Sequence, residues 1–93
     1  MLQIEKRHLE IIVQILAKYR YGFFAFGSRV MGNAKRLSDL DIFYKDAIPL
    51  YDLHKLEEEF EESDLPFKVD IVDYNKCDDD FKKIIMSNYI QMQ

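Results

Sequence analysis

Phe26-Gly27-Ser28-Arg29-Val30-Met31-Gly32, followed after a polar loop by Ser38-Asp39-Leu40-Asp41, is the stretch on which the fold of this chain turns. Upstream of it, Tyr21-Gly22-Phe23-Phe24-Ala25-Phe26 is short, aromatic and closed by a glycine, which predicts a buried strand. One or two helical turns are expected from Ser28, then a loop over residues 33–38. From Asp39 to Tyr44 the residues alternate, with Leu40, Ile42 and Tyr44 on one face and Asp39, Asp41 and Phe43 on the other, so this is a second strand.

On the N-terminal side, Ile4, Ile11, Ile12, Ile15 and Leu16 recur at three- and four-residue steps among polar residues, predicting an amphipathic helix over residues 4–18. On the C-terminal side, Pro49 suits the first turn of a helix. Leu50, Leu53, Leu56 and Phe60 continue that helix to about Ser63, ahead of Pro66. Lys68–Val72 reads as a third strand, with Val69 and Ile71 on one face and Asp70 on the other; Asp73 has the opposite parity from Asp70. One of Asp78, Asp79 and Asp80 caps a last helix carrying Phe81, Ile84 and Ile85 and reaching toward Tyr89. Helices alternating with strands predict a small α/β (α+β) sheet domain, one unit over residues 1–93, with strand directions left open.

The bulk properties agree. A chain of 93 residues has room for one domain, and 48% hydrophobic residues can fill its core. The one cysteine, Cys77, forms no disulfide within the chain, and the acids around it disfavour a nucleophilic thiolate. Neither a signal-peptide pattern nor an apolar run of the roughly 20 residues needed to cross a bilayer is present, so the expected location is the cytoplasm, away from membranes. A net charge of −4 argues against a nucleic-acid-coating protein or polymerase. Much of that charge lies at Glu57, Glu58, Glu59, Glu61, Glu62 and Asp64, a solvated helix face.

The chemistry lies in the acids on the strands. Asp39 and Asp41 point the same way with Cα atoms about 6–7 Å apart, and side-by-side carboxylates repel. A divalent cation between them reverses the sign of that interaction, and oxygen ligands suit Mg2+. Asp70, flanked by apolar residues, can complete a three-carboxylate cluster if its strand lies beside the second. Such a cluster can hold two ions roughly 3.5–4 Å apart, with Asp70 placed to take the proton of an attacking group. Gly27 lets a ligand approach the backbone, Ser28 adds an N–H and a hydroxyl, and a helix start there would face an anion. Arg29, Lys35, Arg36 and Ser38 lie between the two motifs, where phosphate contacts are possible. His8 and His54 are isolated on helices and are not read as ligands.

Gly27-Ser28, then ten residues, then Asp39-Leu40-Asp41, with Val69-Asp70-Ile71-Val72 beyond, resembles the minimal nucleotidyltransferases of the polymerase-beta-like superfamily from Tyr21 to about Val72. The resemblance implies a mixed sheet with flanking helices and transfer of a nucleoside monophosphate, with AMP from ATP the leading case, to an acceptor hydroxyl. It implies a nucleotide site at Gly27, Ser28, Arg29 and Ser38, and Mg2+, two ions, on Asp39, Asp41 and Asp70 as metal and catalytic residues. It also implies a helical partner, either a HEPN-type toxin modified by its antitoxin or a substrate-binding subunit that presents a small molecule, and hence a hetero-oligomer. The alternative class is a non-catalytic module binding nucleotide or partner, against which stands the presence of all three carboxylates.

Overall fold

The computed structural model describes residues 2–93. Helix α1 spans Lys6–Leu16 and buries Ile12, Ile15 and Leu16. Strand β1 covers only Phe24–Phe26 of the expected 21–26, and its last residue leads through Gly27 into the single turn α2, Ser28–Met31. Gly32 closes that turn in the left-handed region at φ 85°, a conformation that favours glycine. Strand β2 is Leu40–Tyr44 and helix α3 is Leu50–Glu61. Pro49 is the N-cap of α3 rather than its first helical residue, a shift of one position. Strand β3, Val69–Asp73, is followed by a 3-10 turn at Tyr74–Lys76 and helix α4, Asp79–Ser87. Asp78 caps α4 by accepting from the Phe81 N–H at 2.8 Å.

The last helix stops before Tyr89. Asn88 is extended at φ −160°, and Tyr89–Gln91 form a fourth strand, β4. The reason is tertiary: β4 pairs antiparallel with β1, supplying partners to an edge that would otherwise be open. The four strands run in the order β3-β2-β1-β4, with β1 antiparallel to β2 and β3 parallel to β2. The sheet is therefore mixed, as the family resemblance implied.

The alternation of β2 divides the core in two. Leu40, Ile42 and Tyr44 join Ala25, Phe23 and the buried faces of α1 and α3, through Leu56 and Phe60, in the larger cluster. Phe43 and Phe26 turn the other way, onto Ile85 of α4. Phe81 of α4 meets the edge of Phe26 at 6.1 Å between ring centroids. Ile84 is 64% exposed, because only one flank of this short helix reaches the sheet. Between α1 and α3, Glu59 accepts from both Lys18 and Tyr19, and the Tyr21 hydroxyl donates to Asp52 at 2.8 Å. These bonds hold the Glu59 carboxyl below its usual range, through Lys18 first and then Tyr19.

Candidate active site

The strand directions, which the sequence left open, assemble the site. Antiparallel pairing brings the end of β1 to the start of β2, and parallel pairing brings the start of β3 to that same end. In register, Phe26 lies opposite Asp41 and Asp41 opposite Asp70, so one row across the sheet reads Asp70, Asp41, Phe26, Tyr89 on a single face. Asp39 has the parity of Asp41 and sits exposed just ahead of β2. Asp73 lies opposite Tyr44 at the far end of the strand, where it accepts from the Asn75 N–H, clear of the acids.

Gly27 makes the corner. Its φ of 83° lies where L side chains rarely go, and a Cβ built there would stand 2.4 Å from an Asp41 carboxylate oxygen. The turn is thus packed directly on the central acid. The Gly27 carbonyl accepts from the N–H groups of Val30 and Met31, both at 3.0 Å, while the N–H groups of Ser28 and Arg29 fall in the first turn, ahead of any intrahelical partner. Ser28 is half-buried beside them.

Burial first, then the charges of Asp70 and Asp39, push the Asp41 carboxyl up from 3.8 to about 6. The ionised form of Asp41 therefore carries an electrostatic cost, part of it from the charges of Asp70 and Asp39. Among the described residues no three His, Cys, Asp or Glu side chains are grouped so as to hold a metal ion by themselves, so the expected three-carboxylate cluster is not preformed. Mg2+ takes one or two carboxylates and fills its shell with water and phosphate oxygens. An all-oxygen donor set fits such an ion; Asp41 and Asp70, neighbours in register, and Asp39 just ahead of β2 are the residues that would hold it.

Arg29 is turned inward, away from a phosphate contact, while Ser38 is engaged within its own loop and keeps its hydroxyl proton to donate. Arg29 is 5% exposed, and its guanidinium donates to the carbonyls of Ser38, Gln3 and Arg36 at 2.8–3.0 Å while stacking on Phe67, 4.1 Å from the ring centroid. Ser38 Oγ accepts from the Lys35 N–H at 2.8 Å. Both residues hold the loop that delivers Asp39. Sequence reasoning missed two further contributors. Gln3 clamps the same loop, exchanging two hydrogen bonds with the Ala34 backbone at 3.0 and 3.1 Å. Tyr89 closes the row of acids through β4. An isolated glutamine, 31 positions from its partner, leaves no local signal.

A four-stranded mixed sheet carrying a Gly-Ser corner over strand-borne acids defines a nucleotidyl-transfer domain. The family described as "Polymerase beta, Nucleotidyltransferase" matches residues 10–92. The chain belongs to this family, as a minimal nucleotidyltransferase, and is an enzyme of that class. It is 42% identical over 96 aligned positions to the probable protein adenylyltransferase MntA of Haemophilus influenzae, covering 99% of this chain and 84% of that protein. In fold it is similar to a chain of a solved structure described as a toxin-antitoxin with AMP-PNP. The TM-score is 0.68 at 22% identity, over 91% of this chain and 72% of that one.

Proposed function

We propose that this enzyme transfers AMP from Mg-ATP to a hydroxyl group on a helical partner protein of the HEPN toxin type, acting as the antitoxin of the pair. The observation that carries the reading is the packing of the Gly27 corner against Asp41, itself in register with Asp70. Phosphates laid on that corner would lie beside the acids. The relative's name, a probable protein adenylyltransferase, supports a protein acceptor. The toxin-antitoxin neighbour with its ATP analogue supports both the nucleotide and the kind of partner.

In the proposed reaction the acceptor oxygen forms a bond to the α-phosphorus, the bond from that phosphorus to the bridging oxygen breaks, and pyrophosphate leaves. Asp70, exposed on the edge strand, takes the hydroxyl proton. Gly27 and Ser28 grip and orient the triphosphate, and Asp39 and Asp41 would hold the cation that lets its α-phosphate lie beside them. Mg2+ held by the acids would offset the charge that builds on the phosphate oxygens.

Incubating the two chains with Mg2+ and ATP and weighing the partner by intact mass spectrometry tests the proposal. A gain of one or more AMP units, lost with Asp39→Asn, is expected. Transfer to a small hydroxyl compound with no gain on the partner favours the substrate-binding-subunit alternative.

A further inference from the structure

The side of β3 away from β2 is an open sheet edge. The Leu40 N–H donates to the Lys68 carbonyl at 2.9 Å, and Leu40 is in register with Val69. In a parallel ladder this turns the backbone groups of residues 68, 70 and 72 toward β2 and those of Val69 and Ile71 outward. Beside that edge, between β3 and α3, runs a groove of about 440 Å³. Phe60, Leu65, Val69 and Ile71 form its apolar floor, and Glu57 and Glu61, one helical turn apart and both exposed, form an acidic rim. The lining also includes the exposed Lys68, and Asp70 at the edge, whose side chain takes the opposite face of the sheet with Asp41.

We infer that the acceptor is presented as an extended, basic peptide segment that pairs with the open edge of β3 as an added strand. The inference rests on the transfer reading above and says how the acceptor docks. Backbone pairing with Val69 and Ile71 gives affinity, and alternation gives specificity. A residue whose side chain turns to the Asp70 face brings its hydroxyl to the acids. Its two neighbours then turn to the groove, where a lysine or arginine lays its aliphatic stem on the apolar floor and its charge on Glu57 and Glu61. The charges disfavour the other occupants, since Glu57, Glu61 and Asp70 outnumber Lys68 along the groove. A nucleic-acid strand would set phosphates against the rim, and a second copy paired edge to edge would bring acid against acid.

The probe is a soluble nonapeptide with a central tyrosine flanked by lysines, compared with the same peptide flanked by glutamates. In the presence of the lysine peptide, the Val69 and Ile71 amides should become protected from hydrogen exchange. The Glu57→Lys/Glu61→Lys protein should bind it at least tenfold more weakly, with its melting curve and Mg-ATP affinity unchanged. Equal binding of both peptides, protection confined to other strands, or no binding would each overturn the inference. Self-association through β3, detected by sedimentation, would overturn it as well. The two readings separate cleanly. Edge protection without AMP transfer to any hydroxyl removes the transfer reading and leaves the docking. AMP transfer to a partner protein with KM indifferent to the double charge reversal removes the docking and leaves the transfer.

Discussion

Asp41 is held ionised against its surroundings, and the sign of the consequence is fixed. Its carboxyl is raised from 3.8 to about 6 in the folded protein, so between those values the folded state takes up the proton first. The cost of the charge is therefore present above pH 6 and relieved as the pH falls toward 4. Discounted for solvent screening of a half-exposed group, it is about 1–2 kcal/mol. Asp41→Asn should raise the melting temperature of the metal-free protein by several degrees at pH 7.5. The gain should vanish near pH 4, and a gain independent of pH would mean that the charge of Asp41 is not its cause. Gly27 is tied to the same carboxylate. Gly27→Ala should destabilise by about 1–3 kcal/mol, from the positive φ and the clash with Asp41 together. A double-mutant cycle with Asp41→Ala, read by urea unfolding, separates these, since only the clash is relieved; zero coupling would show that the contact is absent.

The loop between α2 and β2 is held from the inside by Arg29. Its planar fork reaches three carbonyls at once, a geometry that a lysine ammonium does not reproduce. Arg29→Lys should therefore lower the stability of the nucleotide-free protein by about 2 kcal/mol. A phosphate-binding arginine would behave in the opposite way, sparing the free protein and weakening ATP. Calorimetric melting with and without Mg-ATP distinguishes the two. The helices and β2 were legible because each repeats its apolar residues with its own period. The acids and the Gly-Ser pair were legible because they are out of place on those periods. β4 was not: Tyr89-Ile90-Gln91 has three residues and no pattern of its own, and it is a strand because β1 lacks a partner there. The inward turn of Arg29 was not legible, because position along the chain says nothing about which way a long side chain turns.

For the molecule as a whole, ligand and fold should be linked through the acids. Mg2+ with ATP should raise the melting temperature, by about 2.7 kcal/mol of stability at a hundred times the dissociation constant. Protein with Asn at both 39 and 41 should lose most of that rise. An unchanged shift in calorimetry would place nucleotide binding elsewhere. The chain's own residues determined the elements, the apolar faces and the chemical type of the site, because these follow from local periodicity and from charges that no buried strand tolerates without a partner. Only the tertiary structure decided that Asp41 and Asp70 meet. That depended on β1 running against β2 and β3 alongside it, which sets Gly27, Asp41 and Asp70 at one end of the sheet. Strand direction is chosen by hydrogen bonding and by packing on α1, α3 and α4, between residues far apart in the chain, and no local pattern encodes it.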